Sequence, residues 1–333
     1  TKLPDETLEQ FGARHLGREA FEKLIDPMAS GVFAGDATKM SLKSCFPRIH
    51  EVEAEFGSLI RGLIKLQKKA RQEGKKDTPG PGPGGNLTSF RSGMSAMTDT
   101  LTAELGSRVR TCTAVGSISR SEARYTLHLG DDRSEDFDAV ILSAPAWAQA
   151  VILNDMVPEV SRLLREFEYP ALSVVCLGYR EQDAAGCMDG FGFLVPSREK
   201  RSILGTVADS NVFPGRAPEG SVLYRTMVGG ARCPQLAELP DEQLLDRVRS
   251  DLADIMGLKA DPEFVSIYRH ERAIPQYLVG HAERLEAIEN HLRDFPGLIL
   301  TGNAFRGVSL NDCVLNAEKT AEKVVASTAF AGQ

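Results

Sequence analysis

The residues with the clearest chemical content lie near the end of the chain, where the apolar run Leu298-Ile299-Leu300 enters Thr301-Gly302-Asn303-Ala304-Phe305-Arg306-Gly307-Val308-Ser309-Leu310-Asn311-Asp312-Cys313 and then a helical pattern. The order reads as strand, glycine turn, helix. Gly302 and Gly307 permit backbone geometries and close approaches that a side chain would block, so a flat ligand has room against the backbone of Val308 to Leu310. Free N–H groups at the start of the following helix would suit a phosphate or the electron-rich edge of a reduced flavin. Taken alone, the same pattern also describes an ordinary strand-to-helix turn.

The elements that must position this turn are those of a globular chain. With 333 residues and 42% apolar content, one large domain or two ordinary ones can bury a core. No stretch approaches the ~20 apolar residues that cross a bilayer, and no secretory signal pattern is present. The six cysteines, Cys45, Cys112, Cys176, Cys187, Cys233 and Cys313, are scattered without a C-x-x-C pair and read as free thiols. The histidines lack metal-ligand spacing, so no metal is expected. A net charge of −7 argues against nucleic acid as the main partner.

Residues 1 to about 75 look helical, with a break at Pro27, a loop around Gly31 to Asp36 in which Asp36 can cap, and a long segment from Pro47 onward. Leu59, Ile60, Leu63, Ile64 and Leu66 share one face of that segment. Arg61, Lys65, Lys68, Lys69, Arg71, Lys75 and Lys76 then crowd a short span, which suits an anionic lipid surface, although charge runs of this kind more often mark a solvated helix end. Pro79-Gly80-Pro81-Gly82-Pro83-Gly84-Gly85 is a loop too poor in N–H groups to cradle a phosphate. A helix through Leu101 and Leu105 follows, then a strand at Val109 to Ile118, an alternating Tyr125 to Leu129, a polar turn at Gly130 to Asp132, and the buried-looking strand Ala139 to Leu142 leading into Ser143-Ala144-Pro145. This order is what a dinucleotide-binding sheet domain supplies. Further strands are expected at Ser173 to Tyr179, Phe191 to Val195, Ile203 to Val207 and Val222 to Val228, and a helix at about 241 to 256 carries Leu244, Leu245, Val248, Leu252 and Ile255 as a core stripe.

Several separated segments together carry a family resemblance: Ala34-Gly35-Asp36 with Phe46-Pro47, Gly57-Ser58-Leu59-Ile60-Arg61-Gly62, Gly190-Phe191-Gly192 with Leu194 and Pro196, Leu204-Gly205-Thr206, Phe213-Pro214, Ile274-Pro275-Gln276-Tyr277, and Gly302 to Cys313. Over nearly its whole length the chain resembles the oxygen-dependent protoporphyrinogen oxidases, a family of the flavin amine oxidase superfamily. The resemblance implies a mixed α/β chain with an FAD-dependent amine-oxidase-like fold. It divides into a helical membrane-associating region (1–77), a Pro/Gly loop (78–88), an FAD-domain segment (89–150), a mixed-sheet substrate domain (151–296) and a closing FAD-domain segment (297–333). The family's strand followed by G-x-G-x-x-G has no counterpart in residues 1 to 90, so the chain is expected to be the C-terminal part of a longer protein, lacking also an arginine that would pair with a substrate propionate.

Carried over residue by residue, the resemblance makes Val115, Ser143, Ala144, Gly302, Asn303, Val308, Ser309 and Leu310 the FAD-binding set. It makes Phe191, Gly192, Leu194, Phe213, Met227 and Ile274 the apolar walls of a tetrapyrrole site. His270 stands where the family leads one to expect tryptophan. The implied reaction is oxidation of protoporphyrinogen IX to protoporphyrin IX with O2 as acceptor, by hydride transfer that needs no catalytic triad or carboxylate pair. The implied setting is a bacterial homodimer, peripherally attached to the cytoplasmic face of the inner membrane. Two other readings stand beside it: another superfamily oxidoreductase, such as a desaturase or amine oxidase, or a truncated, non-catalytic tetrapyrrole-binding chain.

Overall fold

The computed structural model describes residues 4–58, 61, 62, 64, 65, 68, 87–122 and 124–331. Most of the basic run, from Lys69 to Lys76, and the Pro/Gly loop lie outside the described residues, as do Leu59, Ile60, Leu63 and Leu66 of the apolar face.

Three structural layers meet at the candidate site. The N-terminal layer is helical. Thr7 and Gln10 form a reciprocal capping box that starts the helix Leu8–His15. Pro27 does not break the chain as the sequence reading expects. It is the second residue of the helix Asp26–Phe33, which runs on without a break from a π-helical stretch, Phe21–Ile25, so the hydrogen-bond ladder changes register just where the proline supplies no N–H. The expected loop at Gly31 begins only at Ala34, which ends the helix in a left-handed conformation. Gly31 lies within that helix, and a Cβ there would stand 2.4 Å from the Leu194 side chain, so the close packing of the two needs glycine. Asp36 caps a turn rather than a helix, accepting from the Thr38 N–H at 3.0 Å.

The second layer combines a three-stranded antiparallel meander, β1 (Val115–Ser121), β2 (Arg124–Leu129) and β3 (Ser134–Phe137), with a two-stranded parallel ladder. That ladder joins β4 (Val140–Leu142) to the distant β10 (Leu298–Leu300). Apolar residues of both ladders pack with the helices Ala146–Ile152, Pro158–Arg165 and His281–Leu292 into one core around Tyr125, Leu153, Leu164 and Ile288. The Tyr125 hydroxyl donates to the Pro296 carbonyl at 2.9 Å and so ties the meander to the entry of β10.

The third layer is a five-stranded antiparallel sheet in the order β6 (Gly192–Leu194), β7 (Ile203–Ala208), β8 (Ser221–Gly229), β5 (Leu172–Arg180), β9 (Phe264–His270). Period-two alternation puts Val175, Leu177, Tyr179, Tyr224 and Val228 on one face, buried under Leu244, Val248 and Leu252 of the helix Asp241–Met256. The opposite face is half open. β9 escapes the sequence reading because it is an edge strand whose residues are mostly exposed, so it shows no clean alternation.

Among the described residues no helix is long and apolar enough to cross a membrane. All six cysteines are free.

Candidate functional site

β4 and β10 run parallel and end together: Leu142 accepts from the Thr301 N–H at 2.9 Å. Ser143-Ala144 and Gly302-Asn303 therefore leave the ladder side by side, at the carboxyl ends of parallel strands where α/β sheets bind ligands. Gly302 has φ +119°, and a Cβ there would stand 3.2 Å from the Ser143 carbonyl oxygen. Only glycine lets the two backbones approach this closely without strain. Gln149, fully buried beneath the crevice, donates from Nε2 to the carbonyls of Ala144 at 2.6 Å and Thr301 at 3.0 Å, clamping the two strand ends together. Its Oε1 is buried and has no hydrogen-bond partner among the described residues. The sequence offers little to single it out: one amide within Ala146–Ile152, flanked by alanines.

The turn after Gly302 is held from behind. The Tyr277 hydroxyl donates to the Asn303 carbonyl at 2.5 Å, and the ring stacks on His281 with centroids 4.1 Å apart. His281 meets the Phe305 carbonyl through Nε2 at 3.1 Å, which makes Nε2 the protonated nitrogen. Burial pushes the His281 pKa down to about 4, opposed by that hydrogen bond and reinforced by Arg284 and Arg306. Burial also raises the Tyr277 hydroxyl far above its ordinary value and the Cys45 thiol to about 12. These groups stay neutral near pH 7 and act as a rigid backing. Neither Tyr277 nor His281 was marked as functional by sequence reasoning, because their role appears only when Asn303 and Phe305 are seen against them.

Val308 then packs against the cluster of Phe33, Met40 and Phe46. Ser309 starts the helix Leu310–Ala331: its Oγ accepts from the Asp312 N–H at 3.1 Å and lies 2.6 Å from the Asp312 carboxylate. The helix start is thus less bare than the sequence reading expects, since one amide is capped and a carboxylate already sits in the first turn. Ser309 and Leu310 are exposed, leaving the turn's outer side open to a ligand.

The open face of the five-stranded sheet adjoins this turn through one short segment. Ile274 lines a cavity of about 220 Å3 with Ser30, Gly31, Ala34, Leu172, Leu204, Val207, Arg225 and Met227. Two residues on, Gln276 donates to the Phe33 carbonyl at 2.9 Å, and the next residue is Tyr277, on the Asn303 carbonyl. Cavity wall and glycine turn are thereby fixed to one another. The cavity is smaller than the roughly 300 Å3 at which most ligand pockets begin, so it fits the edge of a larger molecule. A second cavity of about 450 Å3 lies at the far end of the sheet, lined by Gly178, Leu223, Phe264, Arg216 and Pro218 among others.

The buried ion pair of Asp26 with Arg232 anchors the helix over the smaller cavity. Asp26 also accepts from the Ser197 N–H at 2.9 Å. Burial lowers the Arg232 pKa from its ordinary value, and the pairing with Asp26 keeps the charge compensated.

Of the residues the sequence singles out, Ser143, Ala144, Gly302 and Asn303 share the crevice, and Val308 to Leu310 close the same turn. Val115 sits at the start of β1, partly buried against the core that supports the crevice. Met227 and Ile274 line the smaller cavity together. Leu194 packs on Gly31 at its rim, and Gly192 pairs with Val207 of its wall. Phe191 is exposed, and Phe213 lies under the Arg216 guanidinium, 5.6 Å from ring centroid to Cζ, toward the second cavity. Among the described residues no group of three or more His, Cys, Asp or Glu side chains is placed to hold a metal ion.

The glycine crevice at two parallel strand ends, with exposed Ser143 and Ser309 and a buried amide carbonyl still lacking a donor, fits a flat cofactor with a polar tail. Comparison with known proteins bears on which one. The chain is 33% identical over 338 residues to a chloroplastic protoporphyrinogen oxidase of Nicotiana tabacum, an alignment that spans 96% of this chain and 62% of the relative. It is 32% identical over 327 residues to a coproporphyrinogen III oxidase of Staphylococcus aureus, spanning 97% of this chain and 69% of that one. The chain thus spans about three-fifths of the length of the plant relative. A crystal structure of an Exiguobacterium sp. 255-15 protein assigned as a protoporphyrinogen oxidase superposes with a TM-score of 0.79 at 29% identity, over 96% of this chain and 67% of that one. Reduced UDP-galactopyranose mutase shares the fold at a TM-score of 0.62 and 15% identity, over 90% of this chain and 62% of that one. The family model for flavin containing amine oxidoreductases matches residues 1–325, and the chain belongs to that family.

Proposed function

We propose that this chain serves the FAD-dependent oxidation of protoporphyrinogen IX to protoporphyrin IX, with O2 as the final acceptor. The observation that carries this reading is the Ile274 to Tyr277 segment, which fixes an apolar sheet face to the glycine turn over a span of four residues. A large hydrophobic ring lying on that face would present its edge toward the cofactor. FAD, when bound, supplies the hydride acceptor and passes the electrons to O2. The residues assigned to it are Val115, Ser143, Ala144, Gly302, Asn303 and Val308 to Leu310. Met227, Ile274, Leu194 and Gly192 would wall the substrate, with Phe191 and Phe213 at its outer margins.

The protein's own contribution is binding, orientation and exclusion of water. Gln149 and Tyr277 hold the crevice backbone, and the neutral His281 supports Phe305 without adding charge near the redox centre. In this reading residues 151–296 form the substrate domain and residues 89–150 and 297–333 the FAD domain. The exposed Arg61, Lys65 and Lys68 and the basic residues that follow would attach the protein, as a homodimer, to the cytoplasmic face of a bacterial inner membrane.

The test is an FAD titration of the 333-residue chain by flavin fluorescence, followed in air by porphyrin fluorescence on added protoporphyrinogen IX. Saturable FAD binding with porphyrin formation above the spontaneous rate supports the reading. Absence of flavin binding removes the proposed activity from this chain, whereas binding without porphyrin formation removes the proposed substrate.

A further inference from the structure

The open face of the five-stranded sheet is apolar along most of its rows. Antiparallel register aligns Leu194, Gly205, Met227, Val174 and Tyr268 in one row, and Leu223, Gly178 and Phe264 in another. Between them, in the row with Val207, Cys176 and Ser266, stands Arg225. Its side chain is 46% exposed, so solvent alone could satisfy the charge, yet Arg225 has a fixed partner. Its Nε and Nη2 donate to the two carboxylate oxygens of Asp209 at 3.0 and 2.8 Å.

That pairing uses one edge of the guanidinium and fixes its plane. Nη1 has no hydrogen bond or ion pair among the described residues, and the side chain lines the 220 Å3 cavity beside Met227, Val207 and Ile274. The end formed by Nη1 and the second Nη2 hydrogen is therefore a preset fork of the spacing a carboxylate accepts. A surface ion pair formed for its own sake gains little, whereas a tethered arginine facing an apolar cavity matches a ligand that is hydrophobic in its body and anionic at its edge.

We propose that Arg225 is a specificity-determining residue, holding one ring-substituent carboxylate of the tetrapyrrole while the adjoining apolar row holds the macrocycle. This rests on the porphyrinogen reading of the site. Asp209 acts as a positioning residue that keeps the guanidinium end turned to the cavity. The fork favours a porphyrin acid over its uncharged ester at this edge, and a porphyrin with more propionates offers it more carboxylates in more orientations.

The experiment titrates the full chain with coproporphyrin III and with its tetramethyl ester, following porphyrin fluorescence, for the wild type, R225M and R225K. The expected result for R225M is a loss of about tenfold in affinity for the acid with ester affinity unchanged, and a smaller loss for R225K, which keeps the charge without the fork. Retained ester binding shows that the variant is folded. Equal affinity of wild type and R225M for the acid would overturn the assignment of Arg225 while leaving the porphyrin site in place. Failure of the wild type to bind either porphyrin would instead overturn the porphyrinogen reading itself, and the assignment with it.

Discussion

Lowering the pH from 7.5 to 4.5 should destabilise the fold through His281 in particular. The ring is almost fully buried, stacked on Tyr277 and edge-on to Phe167, with Nε2 bonded to the Phe305 carbonyl. A second proton would have to enter at Nδ1, which is buried and has no partner among the described residues, with Arg284 and Arg306 near enough to oppose it. In the unfolded chain the imidazole titrates near its ordinary value, about 6.5. In the fold burial lowers that to about 4. The unfolded state thus binds more protons between these values, so stability is full above pH 7 and falls as pH drops through this window. With about 1.4 kcal/mol per pH interval, the loss approaches roughly 3 kcal/mol below pH 4 and is about 2.5 kcal/mol at pH 4.5.

Carboxylates titrate in the same range, so the assay compares wild type with H281Q by urea unfolding at both pH values. Glutamine can still donate to Phe305 but does not titrate. At pH 7.5 H281Q should be the less stable protein, having lost the ring stack. At pH 4.5 that deficit should shrink or reverse by about 2.5 kcal/mol. Parallel pH profiles for the two proteins would refute the reasoning, since they would mean that His281 accepts its proton without penalty.

Breaking the Asp26–Arg232 pair with D26N should cost about 1–3 kcal/mol by the same unfolding assay, because Arg232 loses its nearer carboxylate and keeps only Asp36, 3.8 Å away, and adding R232M should recover part of the loss. G302A places a side chain at φ +119° against the Ser143 carbonyl and should cost about 1–3 kcal/mol while raising the Kd for FAD, read by flavin fluorescence. L244A removes a fully buried side chain from beneath the five-stranded sheet and should lower stability by about 2–5 kcal/mol, with little change in FAD affinity because the helix Asp241–Met256 packs on the sheet face opposite the smaller cavity.

What the sequence made legible were features with a period or a punctuation mark. The stripe of Leu244, Val248 and Leu252 marks its helix, and the apolar runs at β4, β5, β8 and β10 mark strands buried on one face at least. The glycines of the final turn mark a close approach. Edge and irregular elements were not legible: β9 lies exposed at the sheet margin, and Pro27 reads as a break although the helical run continues through it after a π-helical stretch. In both cases tertiary surroundings decide what local propensity leaves open.

The site divides along the same line. Ser143 and Gly302 are 159 positions apart in sequence, and only the parallel pairing of β4 with β10 brings them together. Family resemblance singled out the crevice residues but gave no role to those that hold them from behind: Gln149 and His281 lie outside its segments, and Tyr277, inside one, acts as they do, through a backbone carbonyl. Arg225 is a different case. Its alternation places it on the open face, yet a single arginine within a strand reads as an ordinary surface charge until Asp209 is seen to occupy one edge of its guanidinium and the side chain is seen to line the cavity. The geometry of the candidate site therefore depends on side chains whose partners are remote in sequence. The sheet registers that bring those partners together set both the shape of the crevice and the direction in which the arginine points.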